Sequence, residues 1–175
     1  TNSAPESIIR LLDMGMDPFN FADALLGILA QRLAKRLCKE CKQPYHPGPD
    51  EMKQLLNEYC EELAHTDEWK KNPKVFLESV YKDWGARYAK EGKFTLYRAK
   101  GCPACNDSGY KGRAGLHELL VGTDPVKKLI QEKARVAEIL ACALNEGMRT
   151  LKMDGIEKVV QGITDMKQVR AVCIK

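Results

Sequence analysis

No stretch of this sequence approaches the ~18–20 consecutive apolar residues that a helix needs to cross a bilayer, and no secretory signal opens it. It has no internal repeat and no low-complexity segment, which sets aside repeat arrays and disordered linkers. Histidine is scarce. Neither His65 nor His117 stands in a serine, cysteine or carboxylate arrangement that would suggest a catalytic triad, so both read as structural. Neither sign of charge dominates: 28 Lys and Arg against 24 Asp and Glu give a net charge of +4. The pI of 8.6 lies below the value of ~9, with one-sided clustering, that marks a dedicated nucleic-acid domain. The densest basic stretch, Arg32, Lys35, Arg36, Lys39 and Lys42, reads as a solvated face beside a metal site. Cysteines number seven, an odd count that does not fit a secreted disulfide framework and favours a reducing compartment, hence a cytoplasmic location.

What is present suffices for one ordinary domain or two small subdomains sharing a core, with 44% hydrophobic and 30% charged residues over 175 positions. The first residue is Thr1 rather than methionine, and the chain runs straight into a helix start, as expected of a piece of a longer polypeptide. Ser3 and Glu6 spell a capping box, with Pro5 in the first turn and Ile8, Ile9, Leu11 and Leu12 as the buried side. Asp17-Pro18 starts a second helix, to about residue 26. Residues 28–37 are ambiguous: Leu29, Leu33 and Leu37 recur at helical spacing yet also share one face of a strand. Pattern alone favours helix there.

Pro44, Pro47, Gly48 and Pro49 break the chain, and helices are expected at about 51–63 and 74–89. The second carries Phe76, Leu77, Val80, Tyr81, Trp84 and Tyr88, an aromatic stripe read as core. Residues 93–99 and 113–121 read as strands, and helical segments follow from Asp124-Pro125, over 137–145, 148–160 and 164–172.

The chemistry lies in four cysteines. Cys38-Lys39-Glu40-Cys41 and Cys102-Pro103-Ala104-Cys105 are two Cys-x-x-Cys turns, each followed by turn-forming residues, and paired turns of this kind bind one zinc ion tetrahedrally. With four thiolates the site is closed, so the zinc is structural. Residues 42–101 separate the pairs, against ~15–20 residues in an ordinary zinc ribbon. The longer loop costs only about 1 kcal/mol more to close, whereas structural zinc contributes roughly 10–16 kcal/mol in small peptides. Redox-active dithiols, unliganded thiols, and His46 in place of one cysteine are the competing readings. Cys60, Cys142 and Cys173 read as small buried apolar residues.

Several motifs occur in one order: residues 2–12, Gln31-Arg32-Leu33, Leu37-Cys38 to Cys41, Gly101-Cys102 to Cys105, Gly109-Tyr110 with Gly112-Arg113 and Gly115, Glu118-Leu119, Gly147-Met148-Arg149-Thr150-Leu151, and Gly162-Ile163-Thr164. Together they resemble the C-terminal portion of the type II secretion and type IV pilus assembly ATPases, over nearly the whole chain except about 48–98. The resemblance implies an α+β fold, mainly helical. Residues 1–37 would trail a RecA-like ATPase core, 38–110 would form a zinc subdomain with a helical insertion at about 48–98, 111–122 would return to the core, and 123–175 would be a helical subdomain. It also makes 28–37 a strand, antiparallel to 113–121. The expected parent is a hexamer that uses ATP and Mg²⁺ at the inner-membrane face, meeting neighbouring subunits, the inner-membrane platform or regulatory proteins, and the membrane only through those partners.

This chain contains no Gly-x-x-x-x-Gly-Lys-[Ser/Thr] loop and no acidic strand-end motif for magnesium, so it is expected not to hydrolyse ATP by itself. Thr1, Asn2, Arg32, Arg36 and Arg113 are candidates to approach nucleotide or a neighbouring subunit, with an Arg113–Glu118 ion pair as the alternative for Arg113. A zinc-ribbon nucleic-acid module using Lys35, Arg36, Lys39 and Lys42 is the competing function, and a thiol oxidoreductase a third. No nucleic-acid partner is expected on the favoured reading.

Overall fold

A computed structural model describes residues 2–173. Helix α1 (Ala4–Asp13) begins where Ser3 Oγ accepts from the Glu6 N–H, but Glu6 reaches back to the Asn2 N–H rather than to Ser3 (3.0 Å). Helix α2 (Pro18–Ala24) starts on the Asp17 cap, with Pro18 in its first turn, where no N–H is needed. Strand β1 (Gly27–Leu37) then runs antiparallel to β4 (Tyr110–Val121). The helical spacing of the leucines at 28–37 was therefore misleading, and the strand implied by the family resemblance is the one that forms. Ladder pairing decides the matter, because an alternating segment opposite another becomes half-buried only as a strand.

The leucines also part company. Leu29 and Leu33 are 60% and 44% exposed, whereas Leu37 is buried. The ladder shifts register between Lys35 and Leu37, where β4 carries one more residue than β1, and Leu37 lies on the buried side just before Cys38.

Between the cysteine pairs lie β2 (Gln43–Tyr45), α3 (Pro49–Cys60), α4 (Asp67–Lys71), α5 (Pro73–Tyr88) and β3 (Leu96–Arg98), with β2 antiparallel to β3. Helix α4 and strand β2 are too short to show in the sequence. The chain closes with α6 (Asp124–Gln131), α7 (Val136–Asn145), α8 (Leu151–Val160) and α9 (Met166–Val172). Helix α6 is capped by Thr123, one residue before the expected Asp124 start.

One core joins these parts. Leu55, Tyr59, Leu63, Trp84 and Leu96 from the segment between the cysteine pairs share a buried cluster with Ile8, Leu120, Ile130, Ile139, Met153 and Ile156. The aromatic stripe on α5 is only partly core: Trp84 is fully buried, while Tyr81 is exposed and Phe76, Leu77, Val80 and Tyr88 are half-buried. Ion pairs reinforce the seam. Arg87 meets Glu157 at 2.6 Å, Lys152 lies 3.6 Å from Glu58 and from Glu61, and Arg170 also holds Glu58.

Glu118 ties the ends of the chain to β4. It is buried, its carboxylate accepting from the N–H groups of Ala4 (2.6 Å) and Leu151 (3.2 Å), the first residues of α1 and α8. Burial pushes the Glu118 carboxyl above its ordinary value, and the two helix-start N–H groups work against that by favouring an anion. Arg113 lies on the exposed face of β4 and Glu118 on the buried face, so the alternative ion pair between them does not form.

Candidate metal centre

Each Cys-x-x-Cys turn wraps its first carbonyl. Cys38 O accepts from the N–H groups of Cys41 (3.4 Å) and Lys42 (2.9 Å), and Cys102 O from those of Cys105 (3.1 Å) and Asp107 (2.9 Å). The turns are stitched together by the Cys38 N–H, which donates to Gly109 O at 2.9 Å. Asn106 and Asp107 adopt left-handed backbone (φ 53° and 58°), a conformation their short polar side chains tolerate better than others. Gly101 is required by space as well as by its φ of 112°: a Cβ there would stand 2.8 Å from Asp107 O.

This folding gathers the four sulfurs that lie 64 residues apart in cross-paired sequence. Cys38 and Cys102 Sγ are 3.9 Å apart, Cys41 and Cys105 Sγ 3.9 Å, and Cys102 and Cys105 Sγ 3.8 Å. All four lie within 4.8 Å of one another and could hold a metal ion. A disulfide would need ~2.05 Å, and all seven cysteines are free thiols.

Backbone N–H groups point at the sulfurs: Gly101 to Cys41 (3.4 Å), and Cys102 and Gly109 to Cys105 (3.3 and 3.2 Å). Desolvation works against a charged Cys105, but these donors prevail and draw its thiol down to about 6. Desolvation and the contact with Cys41 push Cys102 the other way, up to about 11. Four thiols thus crowd one space, with backbone N–H donors directed at Cys41 and Cys105, and thiols are donors that suit a soft, positively charged centre.

His46 is no part of it. Its Nδ1 lies 3.0 Å from Phe94 O; a carbonyl can only accept, so Nδ1 carries the proton. Cys60 is buried as expected, its thiol pushed up to about 11 by desolvation, but Cys142 and Cys173 are only half-buried. His65 and His117 are exposed.

The other candidates do not gather at one place. Thr1 lies outside the described residues. Asn2 and Arg32 meet, Arg32 Nη2 donating to Asn2 Oδ1 at 3.2 Å. Arg36 sits at the register shift beside Gly112, and Arg113 lies across the ladder from Lys35 on the exposed face.

One part of the centre escaped sequence reasoning: the turn after α8. Leu37 donates its N–H to Ile163 O (3.0 Å), Thr164 Oγ1 donates to Lys35 O (2.8 Å), Lys42 Nζ donates to Gly162 O (2.9 Å), and Tyr110 OH bonds Asp165. The Gly162-Ile163-Thr164 string was visible, but nothing in it says that it braces the first cysteine turn.

The fold and the centre define an α+β chain with two cysteine turns closing over a helical segment. The chain belongs to the family of Type II/IV secretion system proteins, whose sequence model matches residues 1–171. It is 35% identical over 175 residues, the whole of this chain, to the type IV pilus assembly ATPase PilB of Thermus thermophilus, and the match covers 16% of that protein. It is 36% identical over 172 residues (98% of the chain) to the type II secretion system ATPase E of Vibrio cholerae, covering 28% of it. PilB of Pseudomonas aeruginosa is likewise 36% identical over 172 residues, with 25% of its length covered. The chain thus spans less than a third of each of these relatives. The matches run through residues 48–98, the part set apart from the resemblance in the motif comparison.

Proposed function

We propose that this chain is a non-catalytic, C-terminal region of a hexameric ATPase that powers assembly of a type II secretion pseudopilus or a type IV pilus, and that Cys38, Cys41, Cys102 and Cys105 hold a structural zinc ion in it. The observation that carries the zinc reading is the spacing of the sulfurs. Zinc–sulfur bonds of ~2.3 Å put tetrahedral sulfurs roughly 3.8 Å apart, against 3.8–3.9 Å for three of the pairs and at most 4.8 Å for any pair. All four positions are thiols, so the ion would be fully enclosed by protein ligands and would staple the chain rather than activate water.

The β1–β4 ribbon supports attachment to a larger RecA-like core. The described residues hold only two strands in this sheet, and its outward face exposes Leu29, Leu33, Leu119 and Val121 beside Leu26. Apolar residues in such a row ordinarily meet another surface. ATP and Mg²⁺ would bind elsewhere in the parent, with Asn2, Arg32, Arg36 and Arg113 turned toward nucleotide or a neighbouring subunit. The segment between the cysteine turns would serve as a docking surface for inner-membrane platform or regulatory proteins at the cytoplasmic face.

A nucleic-acid module fits less well. Two rings near the cysteine turns are already covered within the chain, Tyr97 by Lys42 (4.0 Å) and Tyr45 by Arg98 (3.8 Å), so they do not offer stacking platforms. Equilibrium dialysis followed by metal analysis tests the proposal. About one zinc per chain is expected, with no ATP turnover by the chain alone; less than about half an equivalent, or sustained turnover, would count against it.

A further inference from the structure

Residues 162–165, the turn between α8 and α9, tie the C-terminal helices to the cysteine turns by polar bonds at every position. The N–H groups of the turn close α8: Gly162 donates to Val159 O and Ile163 to Lys158 O, both at 2.9 Å, the paired bonds of a Schellman ending. Gly162 takes the left-handed conformation that this requires (φ 78°), and a Cβ there would stand 2.5 Å from the Tyr97 ring.

The other groups of the turn face the metal centre. Gly162 O accepts from Lys42, next to Cys41, and Ile163 O from the N–H of Leu37, next to Cys38. Thr164 is buried and donates to Lys35 O, so β1 is gripped on both sides of its register shift. Asp165 divides its carboxylate, Oδ2 accepting from Tyr110 OH and Oδ1 from the Gln168 N–H in the first turn of α9. Tyr110 follows Gly109, whose N–H points at Cys105 Sγ and whose carbonyl accepts from the Cys38 N–H. Each bond therefore lands close to a sulfur donor, where groups behind the ligands set how well they meet a metal. Helix α9 depends on the same bonds in return. It has seven residues, too few to hold a helix unaided, and its cap is the carboxylate that Tyr110 also holds.

We propose that Thr164 and Asp165 are positioning residues of the metal centre, and that occupancy of the cysteine cage and the order of α9 are coupled through them. With metal bound, the two cysteine turns keep the geometry in which β1 and Tyr110 meet residues 163–165. With the cage empty those turns relax, and α9 frays from its capped end. The link is reciprocal: as metal holds α9 in place, so the turn holds the metal. This rests on the zinc reading given above and deepens it.

Zinc affinity of the purified protein, read by competition with a chromophoric chelator, tests the proposal together with the absorption spectrum of the cobalt-substituted form. Thr164→Val and Tyr110→Phe each remove one hydroxyl and little bulk. Both are expected to weaken zinc about tenfold and to alter the thiolate-to-cobalt absorption. Thr164→Ser keeps the hydroxyl and should bind as the unsubstituted chain does. Trp84→Ala is the control for destabilisation alone, lowering the denaturation midpoint without moving zinc affinity or the spectrum. Chelation should also speed hydrogen exchange over residues 166–172 about tenfold while α6 keeps its protection. Unsubstituted affinity in both hydroxyl variants would overturn the inference. So would an equal loss in Thr164→Ser or Trp84→Ala, or exchange in α9 that ignores the metal. Should Thr164→Val fail to fold, Tyr110→Phe decides by itself. An unsubstituted chain that takes up neither zinc nor cobalt defeats the metal reading and the coupling together, whereas zinc bound equally by every variant defeats the coupling alone.

Discussion

The two cysteine turns and the helical segment between them are held by different physics. In the turns nearly everything is short-range and polar: carbonyls wrapped by the next N–H groups, N–H donors on sulfur, glycines where a Cβ would collide. In the helical segment the hold is diffuse, a buried cluster shared with α7 and α8 and a few ion pairs at the seam. A cage of four ligands fails as a unit when one is lost, whereas a packed interface weakens in proportion to what is removed. The two regions should therefore come apart under different insults.

The sharpest contrast comes from metal removal. Chelation is expected to cost the most of any perturbation, several kcal/mol of the zinc contribution. Hydrogen exchange should speed at the N–H groups of Cys41, Lys42, Asp107 and Gly109 while α3 and α5 keep their protection; uniform loss across both regions would erase the distinction. Trp84→Ala is the converse lesion. It empties the side chain packed edge-on against Tyr59 at 5.1 Å and should cost about 3–5 kcal/mol in chemical denaturation. Zinc stoichiometry should stay at one while it does so.

Glu118→Gln probes what both regions lean on. An amide can offer only one carbonyl where the carboxylate accepted two N–H groups, so one helix start loses its partner, at about 1–3 kcal/mol by denaturant titration. The smallest effect is one of pH. Hydrogen bonding by Arg170, against an opposing desolvation, and the nearby Lys152 hold the Glu58 carboxyl below its ordinary value. Stability from this seam is therefore present above the ordinary carboxylate range and lost as pH falls through the depressed value. Glu58→Gln should flatten that acid limb, by about 1 kcal/mol or less for an exposed pair; an unchanged limb would remove the ion pairs from the account of the seam.

How much of this was legible beforehand follows the same division. The gathering of the four cysteines could be read because Cys-x-x-Cys is a local geometric device, and its folding depends little on what lies between the pairs. The helix starts at Ser3 and Asp17 were equally local. Residues 28–37 were not, because strand or helix depended on a partner more than 70 residues away. The parting of Leu37 from Leu29 and Leu33 came with a single register shift, and the burial of Trp84 depended on its packing against Tyr59 of α3. Glu118 was seen as a motif residue beside Arg113, yet its role as a double helix cap joins residues 114 and 33 positions away. Long-range polar contacts of this kind leave no periodicity to read.

X-ray absorption at the zinc edge on the purified protein tests the central claim most directly. Four sulfur neighbours at ~2.3 Å and no nitrogen or oxygen in the inner shell is the predicted result. A shell containing nitrogen or oxygen ligands, or no zinc signal, would contradict it.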